Sequence, residues 1–173
     1  MAVTDIKPAY MKIFREVLIV GIACVVFTSL VALLLGQDVN WDQRNYHFYI
    51  VYAWLSGTTN FHIAPAQIQS WLNPLGYLPQ YLAIAYLPPI AAGTLMGAAA
   101  GLNGGLIYAI VRLIFVGPLW HGRVIAMLCV VMGLSAPLFF SETGTTFIDN
   151  LLSLNLLAAL ILLLLLAGES DSI

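Results

Sequence analysis

The sequence predicts an all-α integral membrane protein, with about four transmembrane helices and interfacial helices in a long first outer loop. Three observations carry this expectation. Of the 173 residues, 61% are hydrophobic and only 8% are charged, against about a quarter charged in an average soluble domain. Uncharged apolar runs long enough to cross a bilayer recur along the chain. Proline and glycine clusters punctuate those runs, as breaks between helices require. Such a composition excludes intrinsic disorder. A net charge of −2 with no clustered basic residues offers no surface for nucleic acid. One membrane domain over 1–173 accounts for the length.

The first predicted span is 17–36, preceded by Lys7, Lys12 and Arg15 and closed by Gln37-Asp38. It is longer than the apolar core of a cleavable leader, so it reads as a retained helix. Pro65, Pro74, Pro79, Pro88 and Pro89 then interrupt a charge-free stretch, because proline lacks an amide donor and disfavours helix just before it. The proline-free run 90–116 is a second span, long enough to cross with tilt, and 124–140 and 147–167 are the third and fourth. An alternative divides 90–116 at Asn103-Gly104-Gly105, which leaves two pieces too short to cross.

With four spans both termini lie on one side. The positive-inside rule makes that side cytoplasmic, since Lys7, Lys12, Arg15, Arg112 and Arg123 then face inward and only Arg44 faces out. The outer segments are 37–89 and the short turn 141–146. Within the first, 45–56 and 75–87 read as helices at the membrane surface. Both are rich in Tyr and Trp, which favour the interface, and Gly57 fits the position after a helix end.

Gly93, Gly97, Gly101 and Gly105 recur every fourth residue and form one smooth stripe on the second span. Such a stripe admits a close-packed helix, from this chain or another. Cys24 and Cys129 lie in apolar runs and read as small packed hydrophobes. Neither a phosphate loop, a zinc-type Cys/His spacing nor a nucleophile elbow is present, and His47, His62 and His121 are too dispersed for a metal triad. A transporter is disfavoured because no span carries a charge near its centre.

Two polar clusters remain, Asp38 to His47 and Ser141 to Asn150. Four-span topology puts both on the outer side, carrying Asp38, Asp42, Glu142 and Asp149. Acids converging there from two loops suit a general base, a metal site or cation binding.

The run Asp42-Gln43-Arg44-Asn45-Tyr46-His47-Phe48-Tyr49, continued by Tyr52-Ala53-Trp54-Leu55-Ser56-Gly57, resembles the first outer loop of bacterial multi-pass glycosyltransferases of the GT-C fold. The stretches 64–74 and Glu142-Thr143-Gly144-Thr145-Thr146-Phe147-Ile148-Asp149-Asn150 are similar to one branch of that superfamily. The resemblance implies transfer of a sugar from a polyprenyl-phosphate carrier on the outer face of a bacterial inner membrane. It implies Asp42 as the acid of first choice, Asp38 as the second, and Asp149 with Glu142 from the other loop. Arg44 or His47 would meet the carrier phosphate. No cofactor or resident metal is specified. Such transferases have many more spans, so the resemblance implies an N-terminal portion or a shortened relative. A shortened relative would serve as a non-catalytic accessory subunit, packed in lipid against other membrane proteins.

Overall fold

A computed structural model describes residues 3–62, 66–115 and 118–170. Among these residues seven α-helices run in chain order: α1 Val3–Leu35, α2 Phe48–Leu55, α3 Leu78–Tyr86, α4 Pro89–Ile114, α5 Leu119–Leu134, α6 Pro137–Glu142 and α7 Asp149–Ser170. A π-helical turn, Gln43–His47, leads into α2, and 3-10 turns at Gln67–Trp71 and Pro74–Tyr77 precede α3. No strand occurs among the described residues. The end of the predicted second span, Val116, and the predicted residues 63–65 lie outside the described residues.

Among the described residues three helical segments are long and apolar enough to cross a membrane: Met11–Leu35, Pro89–Ile114 and Asp149–Gly168. Their outward faces carry large apolar side chains, among them Leu18, Ile22, Leu30, Leu95, Leu156 and Leu163. The third expected span takes a different form. Helix α5 has 16 residues, a rise of ~24 Å that falls short of the ~30 Å hydrocarbon core. It ends at Ser135 because Pro137 cannot continue the ladder and instead opens α6 at its first turn. Leu134, at the end of α5, packs beside Gly104, whereas Gly144 lies beside Gly93, more than two turns further along α4. Residues 135–144 therefore cover the remaining height of the bundle.

Helix α4 is the centre of the bundle, flanked by α1, α5 and α7. It runs antiparallel to α1, since Gly97 faces Ala32 and Thr28, Gly101 faces Val25 and Cys24, and Gly105 faces Gly21. A Cβ at Gly97 would stand 2.6 Å from the Ala32 Cβ and 2.8 Å from the Thr28 carbonyl oxygen. The glycine stripe is thus occupied by a helix of this same chain. Buried Thr28 returns its hydroxyl to the Cys24 carbonyl at 2.9 Å, which satisfies that donor within α1. Midway along α4, Asn103 donates to the Asn150 carbonyl at 2.8 Å and accepts from the Ser153 hydroxyl at 2.8 Å, tying α7 to the centre.

At the end of the bundle away from the two polar loops, Glu16 of α1 gathers three partners. Arg112 donates to it at 3.2 Å, Arg123 at 2.9 Å through Nε and again through Nη2, and Tyr108 at 3.2 Å. The Arg112 side chain is only 4% exposed, so Glu16 neutralises a cation that has left water.

Candidate functional site

The site is built where α1 ends. Asp38 closes an Asx turn, accepting from the Asn40 amide at 3.0 Å and from the Asn40 side chain at 2.6 and 2.7 Å. Asn40 in turn accepts from the Gln43 amide at 2.7 Å and so starts the π-helical turn. That turn widens the helix across Gln43–His47, a departure from α geometry that concentrates at functional sites. Helix α2 then stops in a Schellman arrangement. Gly57, at φ +66°, donates to Trp54 at 3.2 Å, and Thr58 donates to Ala53 at 2.9 Å.

The second loop arrives on top of this turn. Gly144, at φ +82°, has no room for a side chain: a Cβ there would lie 2.7 Å from that of Ala32. The close approach brings Thr146 over Asp38. Its amide and hydroxyl both donate to Asp38 Oδ2, at 2.8 and 3.0 Å. The same hydroxyl lies 2.7 Å from His47 Nδ1. Asp38 therefore accepts five hydrogen bonds from Asn40 and Thr146 and is a clasp between the loops.

His47 is 2% exposed. It stacks on Tyr77 with ring centres 4.6 Å apart and meets Phe147 edge-on at 5.2 Å and Tyr46 at 4.5 Å. Burial lowers its pKa, while Asp42, Asp38 and Asp149 pull in the opposite direction. The same surroundings push Tyr77 up to about 12, through burial first and then through Tyr46, Asp149 and Asp42. Burial, then the neighbouring Asp42, likewise raises Tyr46. Three acids from two distant segments thus act on one aromatic group.

The remaining residues singled out from sequence distribute around this centre. Asp42 is partly exposed and Asp149 is exposed. Arg44 stands on the rim of a groove of about 360 Å³, lined also by Asp38, Gln43, Phe48 and Ile84. Glu142 and Asp149 share a second groove of about 330 Å³ with Asn103, Asn150 and Ser153. Glu142 is buried there with Oε2 unpartnered, and burial, then the Asp149 charge, raises its pKa. A smaller cavity of about 100 Å³ lies between Gln37, Asp38, Gln43, Gly93 and Thr146. It is well under the roughly 300 Å³ of an ordinary ligand pocket. Gly97, Gly101 and Gly105 lie away from these grooves, along the α1–α4 seam. Among the described residues no three His, Cys, Asp or Glu side chains form a metal-holding group.

Sequence reasoning passed over Thr146, Asn40 and Tyr77. The Asp38-x-Asn40-x-x-Gln43 spacing is a legible Asx-to-helix signal. Thr146 offers none, since its partner is 108 residues away. Comparison with protein-family models, curated proteins and solved structures finds no match.

Proposed function

We propose that the chain acts as a membrane glycosyltransferase of the GT-C type. It moves a sugar from a polyprenyl-phosphate carrier at the non-cytosolic face of a bacterial inner membrane. The observation that carries this reading is the convergence of Asp42 and Asp149 on the His47–Tyr46–Tyr77 group. A partly open Asp42 next to Gln43 and Arg44, which line one groove, and Asp149, which lines the other, suit a lipid-linked donor whose head lies at the boundary of lipid and water.

In this reading Asp42 is the general base. It takes the proton of the acceptor hydroxyl as that oxygen attacks the anomeric carbon. The bond from that carbon to the phosphate oxygen breaks, and polyprenyl phosphate leaves with the electron pair. Arg44, on the groove rim, meets the added negative charge. Asp38 is assigned a holding role, because its oxygens are already engaged. Replacing Asp42 with Asn lowers transfer on the order of 100-fold or more while membrane insertion and thermal stability stay as in the wild type. Transfer from a radiolabelled polyprenyl-phosphate sugar in proteoliposomes is the measurement, and retained transfer removes Asp42 from the mechanism.

A second reading, a non-catalytic subunit of a membrane assembly, is favoured by α7. No residue from 151 to 168 is buried within the chain, so apart from the half-buried face laid on α4 the helix is open to lipid or to neighbouring proteins. Stoichiometric partners in a mild-detergent preparation that transfers no sugar would select it.

A further inference from the structure

Two buried side chains, His47 and Gln80, and the half-buried Gln43 carry buried polar atoms with no partner: Gln43 Oε1, His47 Nε2, and both Gln80 Nε2 and Gln80 Oε1. His47 and Gln80 are each 2% exposed. Gln43 precedes His47 by four residues on the turn. Gln80 lies three residues after Tyr77 and four before Ile84, on one face of α3. Tyr77 stacks on His47, and Ile84 lines the same cavity as Gln43. Gln80 is thus placed on the face of α3 that meets Gln43 and His47. Orphaned buried polar atoms cost about 1–3 kcal/mol each, and several in one seam are the mark of a polar occupant.

The hydrogen-bond chain fixes what that occupant must supply. Asp38 Oδ2 already accepts from the Thr146 amide and the Asn40 side chain, and a carboxylate in that role has no proton to give. The single Thr146 hydroxyl proton therefore goes to Asp38 at 3.0 Å. Thr146 Oγ1 must then accept from His47, 2.7 Å away, which places the imidazole proton on Nδ1. Nε2 is left as a bare lone pair. It accepts a hydrogen bond and cannot donate one, and the nearby charges of Asp38, Asp42 and Asp149 repel an anion.

We propose that His47 Nε2, with Gln80 and Gln43, forms a neutral subsite for an O–H donor, a water molecule or a sugar hydroxyl, and that it excludes phosphate. This rests on the transferase reading only for the sugar. It divides the site, leaving the carrier phosphate to Arg44 and giving the hydroxyl to His47.

The test is nitrogen-15 NMR of the full chain, labelled at histidine and held in lipid nanodiscs, with His47→Gln assigning the signal. At neutral pH His47 is expected as the Nδ1–H tautomer with Nε2 hydrogen-bonded. Thr146→Val loses that tautomer and Thr146→Ser keeps it, with helical circular dichroism confirming that each variant is folded. A hydrogen-bonded Nε2 in sugar-free buffer, indifferent to methyl glucoside, identifies water; a saturable shift with methyl glucoside identifies a sugar hydroxyl. An Nε2–H tautomer in the wild type overturns the proposal. So does a lone pair without any hydrogen bond, or a His47 signal that moves with inorganic phosphate. No lipid donor enters this measurement, so the absence of sugar transfer would sink the transferase reading alone.

Discussion

Single residues divide the acids of this site by how fully their oxygens are engaged. Asp38 is saturated by Asn40 and Thr146, Asp42 is partly open to solvent, and Glu142 is buried with one oxygen unpartnered. Glu142 yields a pH prediction with a definite sign. Its folded pKa is raised above the ordinary 4.5, so folding favours the protonated form. The stability this provides is complete below pH 4.5 and is lost as pH rises through the folded value. Glu142→Gln removes the ionisation. It should make the chain more stable than wild type at neutral pH, with the gap closing as pH falls to 4.5. Thermal unfolding in nanodiscs across that range is the check, and a gap independent of pH would refute the assignment. Sequence reading found each of these acids, since charge in so apolar a chain is conspicuous. The resemblance puts Asp42 before Asp38, but the residue pattern alone does not, because saturation depends on Asn40 and on Thr146, a residue with no local signal.

Helices α1 and α4 are joined through a seam in which backbone meets backbone. The glycine spacing was legible in the sequence, but its partner was not, because periodicity describes one helix surface and says nothing of what covers it. The geometry grades the stripe. A Cβ at Gly101 would stand 2.6 Å from Val25 Cα and 2.7 Å from the Cys24 carbonyl oxygen, atoms that cannot rotate away. At Gly93 the nearest atom is the Gly144 carbonyl oxygen at 3.4 Å, an ordinary contact. Gly101→Ala should therefore cost ~2 kcal/mol or more through overpacking, whereas Gly93→Ala should stay within about 0.5 kcal/mol of wild type. Equilibrium unfolding in mixed detergent measures both, and equal effects would show that the seam is loose. The third span shows a different limit. An uncharged run reads as one helix until Pro137 is weighed against it, and the break at Ser135 follows from the proline's missing donor.

The whole molecule has two polar poles on one apolar body, Glu16 with its arginines at one and the Asp38–Thr146 clasp at the other. Apolar runs and loop charges make this polarity legible in the sequence. The closure of one pole by a threonine clasp was not legible, since it joins segments 108 residues apart. If the clasped pole faces away from the cytosol, single cysteines at Trp41, 63% exposed, and at Thr145 should react with an impermeant maleimide from the same, non-cytosolic side. Labelling of the two from opposite compartments would remove the basis for any shared active centre.

The clasp also orders biogenesis. A nascent chain emerges from its first residue onward, so Asp38 is made 108 residues before its partner. Until Thr146 has been synthesised and delivered to the same side, Asp38 lacks two of its five donors and His47 Nδ1 lacks its acceptor. The centre is therefore completed late, once the segment bearing Thr146 has joined the bundle, and a chain that has not yet reached Thr146 holds no clasp.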